Sequence, residues 1–323
     1  MPEYHQPEPL ISVVVPTYNR ARLLHRALES LRRTSGDLAI PWEIIVVDNN
    51  SADDTREVVQ EFACSLPVRY VLERRRGVSR ALNRGIRETR SAILAFANDD
   101  VQFLCRWPEE MLAAAGRWPK ALFFGGKIVP RWMRPRPRWY ALAGWVDLRG
   151  VLGWHDRGNE ERPYAAHMGV PFGANMALRR LAFERYGLFR PDLGMHGARR
   201  RLGEESELLE RLLAGGEQGV YVPAATVSHP VPAARLTRRF ALNWYFHYGE
   251  YLSQKLAGPP GAGDGSGRPQ RWILRWAAVH AARSAMGWVW CSLAGTANQA
   301  FGHQLRAMMY AGHFVDAVRR LLQ

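Results

Sequence analysis

The sequence predicts an α/β fold: a mostly parallel central sheet flanked by helices on both faces, followed by a helical C-terminal extension. Two observations predict it. Continuously apolar, strand-like runs alternate with amphipathic helical stretches through the first hundred residues, as in parallel sheets buried on both faces. Three of those runs end in a polar motif, and open α/β sheets hold their ligands just beyond the carboxyl ends of their strands.

The elements follow in order. Leu10 to Val15 is a β-branched run and reads as a strand. Leu23, Leu24, Ala27, Leu28 and Leu31 repeat at helical spacing over Arg22 to Arg33. Glu43 to Val47 is a second strand, and Asp53 to Ala63 a helix with Ser51 or Asp53 as its N-cap. Val68 to Leu72, Ser79 to Thr89 and Ala92 to Ala97 continue as strand, helix and strand. Glu109 to Arg117 reads as a helix and Ala121 to Gly126 as a strand. Pro130 to Pro163 is rich in Trp, Pro, Arg and Gly without a period, which marks a functional or mobile segment. Regular structure resumes at Ala174 to Leu178, Leu181 to Tyr186 and Glu205 to Leu213. Two short strands follow, Val220 to Val222 and Ala225 to Val227, ending at His229. Gly258 to Pro269 has the composition of a flexible linker. Beyond it, Gln270 to Gly295 and Ala297 to Leu322 read as helices.

Composition narrows the function classes. The chain has 323 residues, room for about two structural units. Three distant cysteines without a CxxC pair favour a reducing compartment. The first nine residues lack the basic start and apolar stretch of a secretory leader, so export is not expected. The net charge is +14, and Val231 to Gln323 alone holds eleven Lys/Arg against three Asp/Glu. Such a balance attracts nucleic acid, anionic lipid or phosphorylated substrates. No zinc spacing or nucleic-acid-binding motif favours the first. Arg271, Arg275 and Arg283 lie along one side of the penultimate helix, with Trp272, Trp276, Trp288 and Trp290 nearby. Tryptophan with arginine suits peripheral contact with an anionic membrane, at the inner face of the cell membrane for a cytoplasmic protein. Packing on the preceding domain, or on a second copy in a homodimer, is the alternative.

The polar motifs carry the chemistry. Pro16-Thr17-Tyr18-Asn19 ends the first strand; a tyrosine and short polar groups there suit a nucleobase and ribose, though Pro and Asn also favour plain turns. Asp48 ends the second strand, where a carboxylate accepts a hydrogen bond from a base or ribose, while Ser51 to Thr55 serve capping. Asn98-Asp99-Asp100 ends the fourth and offers the hard oxygens that Mg²⁺ or Mn²⁺ prefers alongside a diphosphate. Gly203-Glu204-Glu205-Ser206-Glu207-Leu208 opens a helix, where acidic groups also complement the helix dipole.

In this order the motifs resemble those of the family 2 glycosyltransferases, with the GT-A nucleotide-sugar-binding fold, over about Ile11 to Thr237. The resemblance implies a catalytic domain over 1–237, with a nucleotide-binding half at about 10–126 and an acceptor half at about 127–237, and an extension over 238–323. Gly77 to Gly85 matches the family's glycine-to-Ala-x-Asn-x-Gly segment, implying that Arg80 and Asn83 lie along the nucleotide; Leu82 stands where the family often has arginine. Family members usually carry Asp-x-Asp at Asn98-Asp99-Asp100, which implies Asp100 as metal anchor and Asp99 against the sugar or ribose, with a neutral amide at Asn98. Gly173-Ala174-Asn175-Met176-Ala177 implies that Asn175 touches the donor sugar or orders the acceptor side. The Glu204-Glu205 pair matches the family's Glu-Asp-x-Asp-Leu motif and implies Glu205 as catalytic base, with Glu204 as the second choice. A late histidine completes the metal site in several GT-A enzymes, which implies His229 here. The implied reaction is an inverting, metal-dependent transfer from a nucleoside-diphosphate sugar to a glycan or lipid-linked acceptor of the cell envelope or an exopolysaccharide. The alternatives are a degenerate homologue acting as a membrane-associated scaffold, or a nucleotidyltransferase; the latter would want a glycine-rich basic loop after the first strand, which Pro16-Thr17-Tyr18 is not.

Overall fold

The computed structural model describes residues 8–137, 139–140, 146–165, 169–196, 199–200, 202–257 and 269–322. They form two compact units: 1–131 with 153–199 and 203–230, and 132–152 with 200–202 and 231–323. The stretch read from sequence as the acceptor half is thus divided between the two.

The first unit begins with β1 (Ile11–Thr17), α1 (Ala21–Ser35), β2 (Trp42–Asp48), α2 (Thr55–Phe62), β3 (Val68–Leu72), α3 (Val78–Glu88) and β4 (Ile93–Ala97). β5 (Gln102–Phe103), α4 (Trp107–Arg117) and β6 (Ala121–Trp132) follow. After α5 (Arg149–Leu152) come β7 (Arg162–Pro163), β8 (Asn175–Arg179), α6 (Arg180–Tyr186), β9 (Met195–His196), β10 (Arg199–Arg200), α7 (Glu204–Ala214) and β11 (Gln218–Val231). The main sheet runs β3-β2-β1-β4-β8-β6-β11-β5, with β7 also on β11. β1 is parallel to β2 and β4, and β2 to β3. Past β4 the direction reverses, for β8 is antiparallel to both β4 and β6. The sheet is therefore mixed, and parallel only in its first half.

Why the leading strands read as unbroken apolar runs is visible in their two faces. Val13, Val15, Ile44, Val46 and Ala95 pack one way, against Leu24, Leu28 and Leu31 of α1. Val14, Ile45, Val47, Leu94 and Phe96 pack the other way, against Ala81, Leu82 and Ile86 of α3. Both sides are dry, so successive residues alternate between two cores rather than between core and water.

Two local readings change. Neither Ser51 nor Asp53 caps α2, which starts after Asp54 without a side-chain cap. Asp53 Oδ2 instead accepts the Ala21 N–H at 2.9 Å, serving the first turn of α1, and Ser51 Oγ accepts the Asn19 N–H. The two strands expected around Pro223 are one strand, β11, that runs through His229 to Val231. Its pairings with β7 (Val220, Tyr221) and β5 (Val227, Ser228) flank Pro223, which faces neither and so loses no ladder bond to them.

The second unit holds α8 (Arg238–Ala257), α9 (Gln270–Leu293) and α10 (Ala297–Leu321). Its core gathers Leu148, Val151, Leu152, Val231, Ala241, Tyr245, Phe301 and Leu305. The linker expected over 258–269 lies, but for Pro269, outside the described residues. No described helix is long and apolar enough to cross a membrane. α8 and α10 cross backbone to backbone: a Cβ on Gly249 would stand 1.9 Å from the Met309 carbonyl oxygen, and one on Gly312 at 1.9 Å from that of Phe246. Gly249→Leu or Gly312→Leu should push the helices apart and cost about 3 kcal/mol, read as a lower urea midpoint for the full chain.

Candidate active site

The strand registers bring the polar motifs to one sheet edge. Thr17 at the end of β1 pairs with Asp48 at the end of β2. β4 ends beside them and runs straight into Asn98-Asp99-Asp100. β8 enters the sheet at that same edge, with Asn175 opposite Ala97, which leaves Gly173 and Ala174 next to the Asn-Asp-Asp turn. The Val227–Phe103 and Ser228–Gln102 pairs return His229 to the turn.

At the centre lie two buried carboxylates. Asp99 Oδ2 accepts the Thr17 hydroxyl at 2.8 Å. Arg20 Nη1 donates to Asp99 Oδ1 at 3.0 Å and to Asp100 Oδ2 at 3.3 Å. Asp100 Oδ1 is buried without a hydrogen bond, and His229 Nε2 stands 3.6 Å away, beyond hydrogen-bond reach. Burial raises the Asp99 pKa to about 6; the neighbouring Asp100 charge adds to the rise, and Arg20 and Thr17 oppose it. Arg20 reaches the pair because Asn19 holds a left-handed backbone (φ 51°) and locks two loops together. Its N–H goes to Ser51 Oγ and its Oδ1 accepts the Ala52 N–H at 2.8 Å. Pro16 is half-buried in β1, and Asn98 is half-buried beside the pair.

Asp48 anchors a second group. Its Oδ1 accepts the Ser51 N–H at 2.9 Å and its Oδ2 the Tyr70 hydroxyl at 2.6 Å. Burial first, then the Asp48 carboxylate, raises the Tyr70 pKa. The Arg76 guanidinium lies 4.6 Å from the centre of the Tyr18 ring, a cation–π contact. Asn49 fixes the segment carrying Arg76: its amide donates to the Glu73 and Arg75 carbonyls, and its Oδ1 accepts the Gly77 N–H at 2.7 Å. Arg80, on the first turn of α3, has no hydrogen-bond or ion-pair partner among the described residues.

The third group is acidic. Gly203, at φ 102°, takes the left-handed turn that starts α7. Glu205 Oε1 accepts the Gly173 N–H at 3.2 Å, tying α7 to the sheet edge. The Glu204 carboxyl is held well above the usual carboxylate range, by desolvation and then by the Glu205 charge. A Cβ on Gly194 would meet Val78 on one side and the Glu204 carboxyl carbon, at 3.4 Å, on the other. The start of α3 therefore borders this acidic pair.

Two residues expected along the donor are used by the protein itself. Asn83 exchanges both amide bonds with the Phe189 backbone, at 2.7 and 3.0 Å. Asn175 donates to the Lys127 and Ala225 carbonyls and accepts from the Trp107 indole, and is fully buried. Both amide N–H groups of Asn175 are thereby taken, and one of the two on Asn83. Conversely, Arg20, Tyr70 and Arg76 are site residues that sequence reasoning missed. Arg20 directly follows the Pro16 to Asn19 turn, which was its only signal.

Whether a divalent cation fits can be judged from the donors. Among the described residues, no group of three or more His, Cys, Asp or Glu is gathered closely enough to hold a metal. Mg²⁺ commonly takes one or two carboxylates and completes its shell with water and substrate phosphate. The unpartnered Asp100 Oδ1, in a carboxylate pair already holding a guanidinium, fits a cation shared with a diphosphate.

The sequence profile of glycosyl transferase family 2 matches residues 12–187. The chain belongs to that family. It is a glycosyltransferase, so the nucleotidyltransferase alternative falls away. A validoxylamine A glucosyltransferase from Streptomyces hygroscopicus subsp. jinggangensis is 38% identical over 138 residues, which is 42% of this chain but 32% of that protein. The chain thus spans about a third of that relative's length. A glucosyl-dolichyl phosphate glucuronosyltransferase from Haloferax volcanii is 23% identical over 68% of each chain. Among solved structures, the mannosyltransferase PcManGT from Pyrobaculum calidifontis, in complex with GDP-Man and Mn²⁺, superposes with a TM-score of 0.58 at 23% identity, covering 97% of this glycosyltransferase and 87% of that chain. This likeness shows the GT-A fold, including a helical C-terminal region.

The raised Asp99 pKa has a signed consequence for the ligand-free enzyme. A carboxyl that is easier to protonate when folded contributes stability below its unfolded pKa of about 4, and that contribution is lost as pH rises through about 6. Asp99→Asn should therefore leave the melting temperature unchanged near pH 4. It should raise it at about pH 8, by an amount on the order of 2–3 kcal/mol.

Proposed function

We propose that this glycosyltransferase moves a sugar from a nucleoside-diphosphate donor to a hydroxyl of a glycan or lipid-linked acceptor, by a single inverting displacement with Mg²⁺ or Mn²⁺ bound. The observation that carries this reading is the buried Asp99–Asp100 pair, holding a guanidinium and one unpartnered carboxylate oxygen at the sheet edge. An anionic donor with its cation suits such a centre. The mannosyltransferase of similar fold was solved with GDP-Man and Mn²⁺, and the relatives named above are sugar transferases.

In this reading Asp48, with Tyr70 behind it, accepts a hydrogen bond from the base or ribose, and the Tyr18 ring, backed by Arg76, bounds the nucleoside. Asp100 anchors the cation, and His229 stands beside it as a further ligand. Asp99, held by Thr17 and Arg20, orients the sugar or ribose. The cation, when bound, supplies charge neutralisation at the departing diphosphate. Arg20, and Arg80 whose side chain has no partner among the described residues, add fixed positive charge on the donor's side.

Glu205 serves as general base. It is joined to the sheet edge through Gly173, and Glu204 beside it retains its own proton to unusually high pH. Glu205 thus remains the member of the pair that accepts the acceptor's hydroxyl proton as the oxygen attacks the anomeric carbon. Envelope or exopolysaccharide synthesis is the setting such acceptors suggest. A catalytically silent scaffold is the competing reading, motivated by the neutral Asn98.

Two measurements decide between them. The melting temperature should rise with one of UDP, GDP, dTDP or CDP only when Mn²⁺ is also present, because a ligand of the folded state stabilises it. Glu205→Gln should keep that shift and lose about 10²–10⁴-fold in turnover. A wild-type chain that shows no shift with any nucleotide, or a Glu205→Gln enzyme of full activity, contradicts the assignment.

A further inference from the structure

The outward side of α9 is divided along its length. Ile273, Ala277, Ser284 and Cys291 are buried and mark the inner side. On the opposite side, Arg271, Arg275 and Arg283 are exposed in the first part of the helix. Met286, Val289, Trp290 and Leu293 follow on the same side in its last two turns, and their exposures are 64%, 53%, 74% and 81%. Spacings of three and four residues put these four on one contiguous patch. The helix contains no Asp or Glu, and none of the three arginines has an ion-pair partner among the described residues. Exposed apolar groups scattered singly are ordinary, but a patch of this size, centred on a tryptophan, is a docking surface.

We propose that this face of α9 docks on an anionic lipid surface, with Met286, Val289, Trp290 and Leu293 entering the acyl boundary and the three arginines lying on the headgroup phosphates. The inference does not rest on the reaction proposed above. Charge decides the occupant. Unpaired guanidinium groups beside an apolar patch complement a layer with anionic heads and apolar tails. A second copy is less complementary: α9 carries no carboxylate to meet a partner's arginines, and in parallel contact the arginines would face one another. A spanning role is also unsuited to α9, because it falls short of the apolar length that crossing requires. The helix would instead lie along the interface or enter it by its last turns. The exposed Leu293 to Thr296 turn leads that end.

The test is flotation of the full chain with vesicles of phosphatidylcholine alone, or of phosphatidylcholine with roughly one-third phosphatidylglycerol. The wild type should float with the anionic vesicles and release as salt rises, since headgroup attraction is screened within a Debye length. The double substitution Trp290→Ser with Leu293→Ser should weaken binding by at least about tenfold. Replacing Arg271, Arg275 and Arg283 by Gln should weaken it by about fivefold per arginine and abolish the preference for phosphatidylglycerol. All five side chains are solvent-exposed, so both variants should melt with the wild type, which separates lost docking from lost folding. A wild type that stays behind with both vesicle types overturns the proposal, as does equal binding by the Trp290→Ser, Leu293→Ser chain. Light scattering adds one more contrary outcome: a wild-type dimer, made monomeric by the same double substitution without any vesicle binding, would assign the face to a second copy.

Discussion

Two adjacent carboxylates buried at the end of a central strand are the constraint to which the rest of the sheet edge answers. Desolvation drives Asp99 toward its neutral form, and the neighbouring Asp100 charge adds to that push. The opposing groups come from the end of the neighbouring strand, through the Thr17 hydroxyl and the Arg20 guanidinium. Holding Arg20 in place requires the left-handed Asn19, and Asn19 in turn is locked to Ser51 and Ala52 of the next loop. Three strand ends are thus coupled by the need to keep one pair of charges partnered. The neutral Asn98 is consistent with that demand, since a third carboxylate would add to a charge that a single half-exposed arginine already serves.

The acidic pair on α7 shows the same physics with a different result. Burial, and then the Glu205 charge, holds the Glu204 carboxyl well above the usual carboxylate range, while Glu205 is joined to the sheet edge by the Gly173 N–H. Two carboxyls in one motif thus meet different surroundings. The asparagines of the family motifs make a related point. Asn49 and Asn83 bond backbone groups at chain crossings with both ends of their amides, and Asn175 bonds two backbone carbonyls and the Trp107 indole, so all three fix segments at the candidate site.

The C-terminal unit follows other rules. Its helices gain contact where glycines let backbones touch, at Gly249 and Gly312, rather than through a regular apolar stripe. Freed from packing, the outer face of α9 keeps apolar and basic groups that a helix committed to the core would have exchanged for polar ones.

By itself the sequence determined the alternation of strands and helices, the ends of β1, β2 and β4, and the carboxylates placed there. Strand periodicity and turn chemistry are local, and Asp48, Asp99, Asp100, Glu204 and Glu205 stand where such local signals end. Tertiary structure decided the remainder, because it depends on partners far away in the chain. The reversal of strand direction after β4 follows from β8 pairing about eighty residues later, which no local pattern encodes. Arg20, Tyr70 and Arg76 become site residues only when their loops and strands meet Asp99, Asp48 and Tyr18. Asn83 and Asn175 take on structural bonds because Phe189, and the Lys127, Ala225 and Trp107 groups, arrive from distant segments to meet them. A residue's type states what it can bind, whereas which partner reaches it first is settled by the packing of the whole chain.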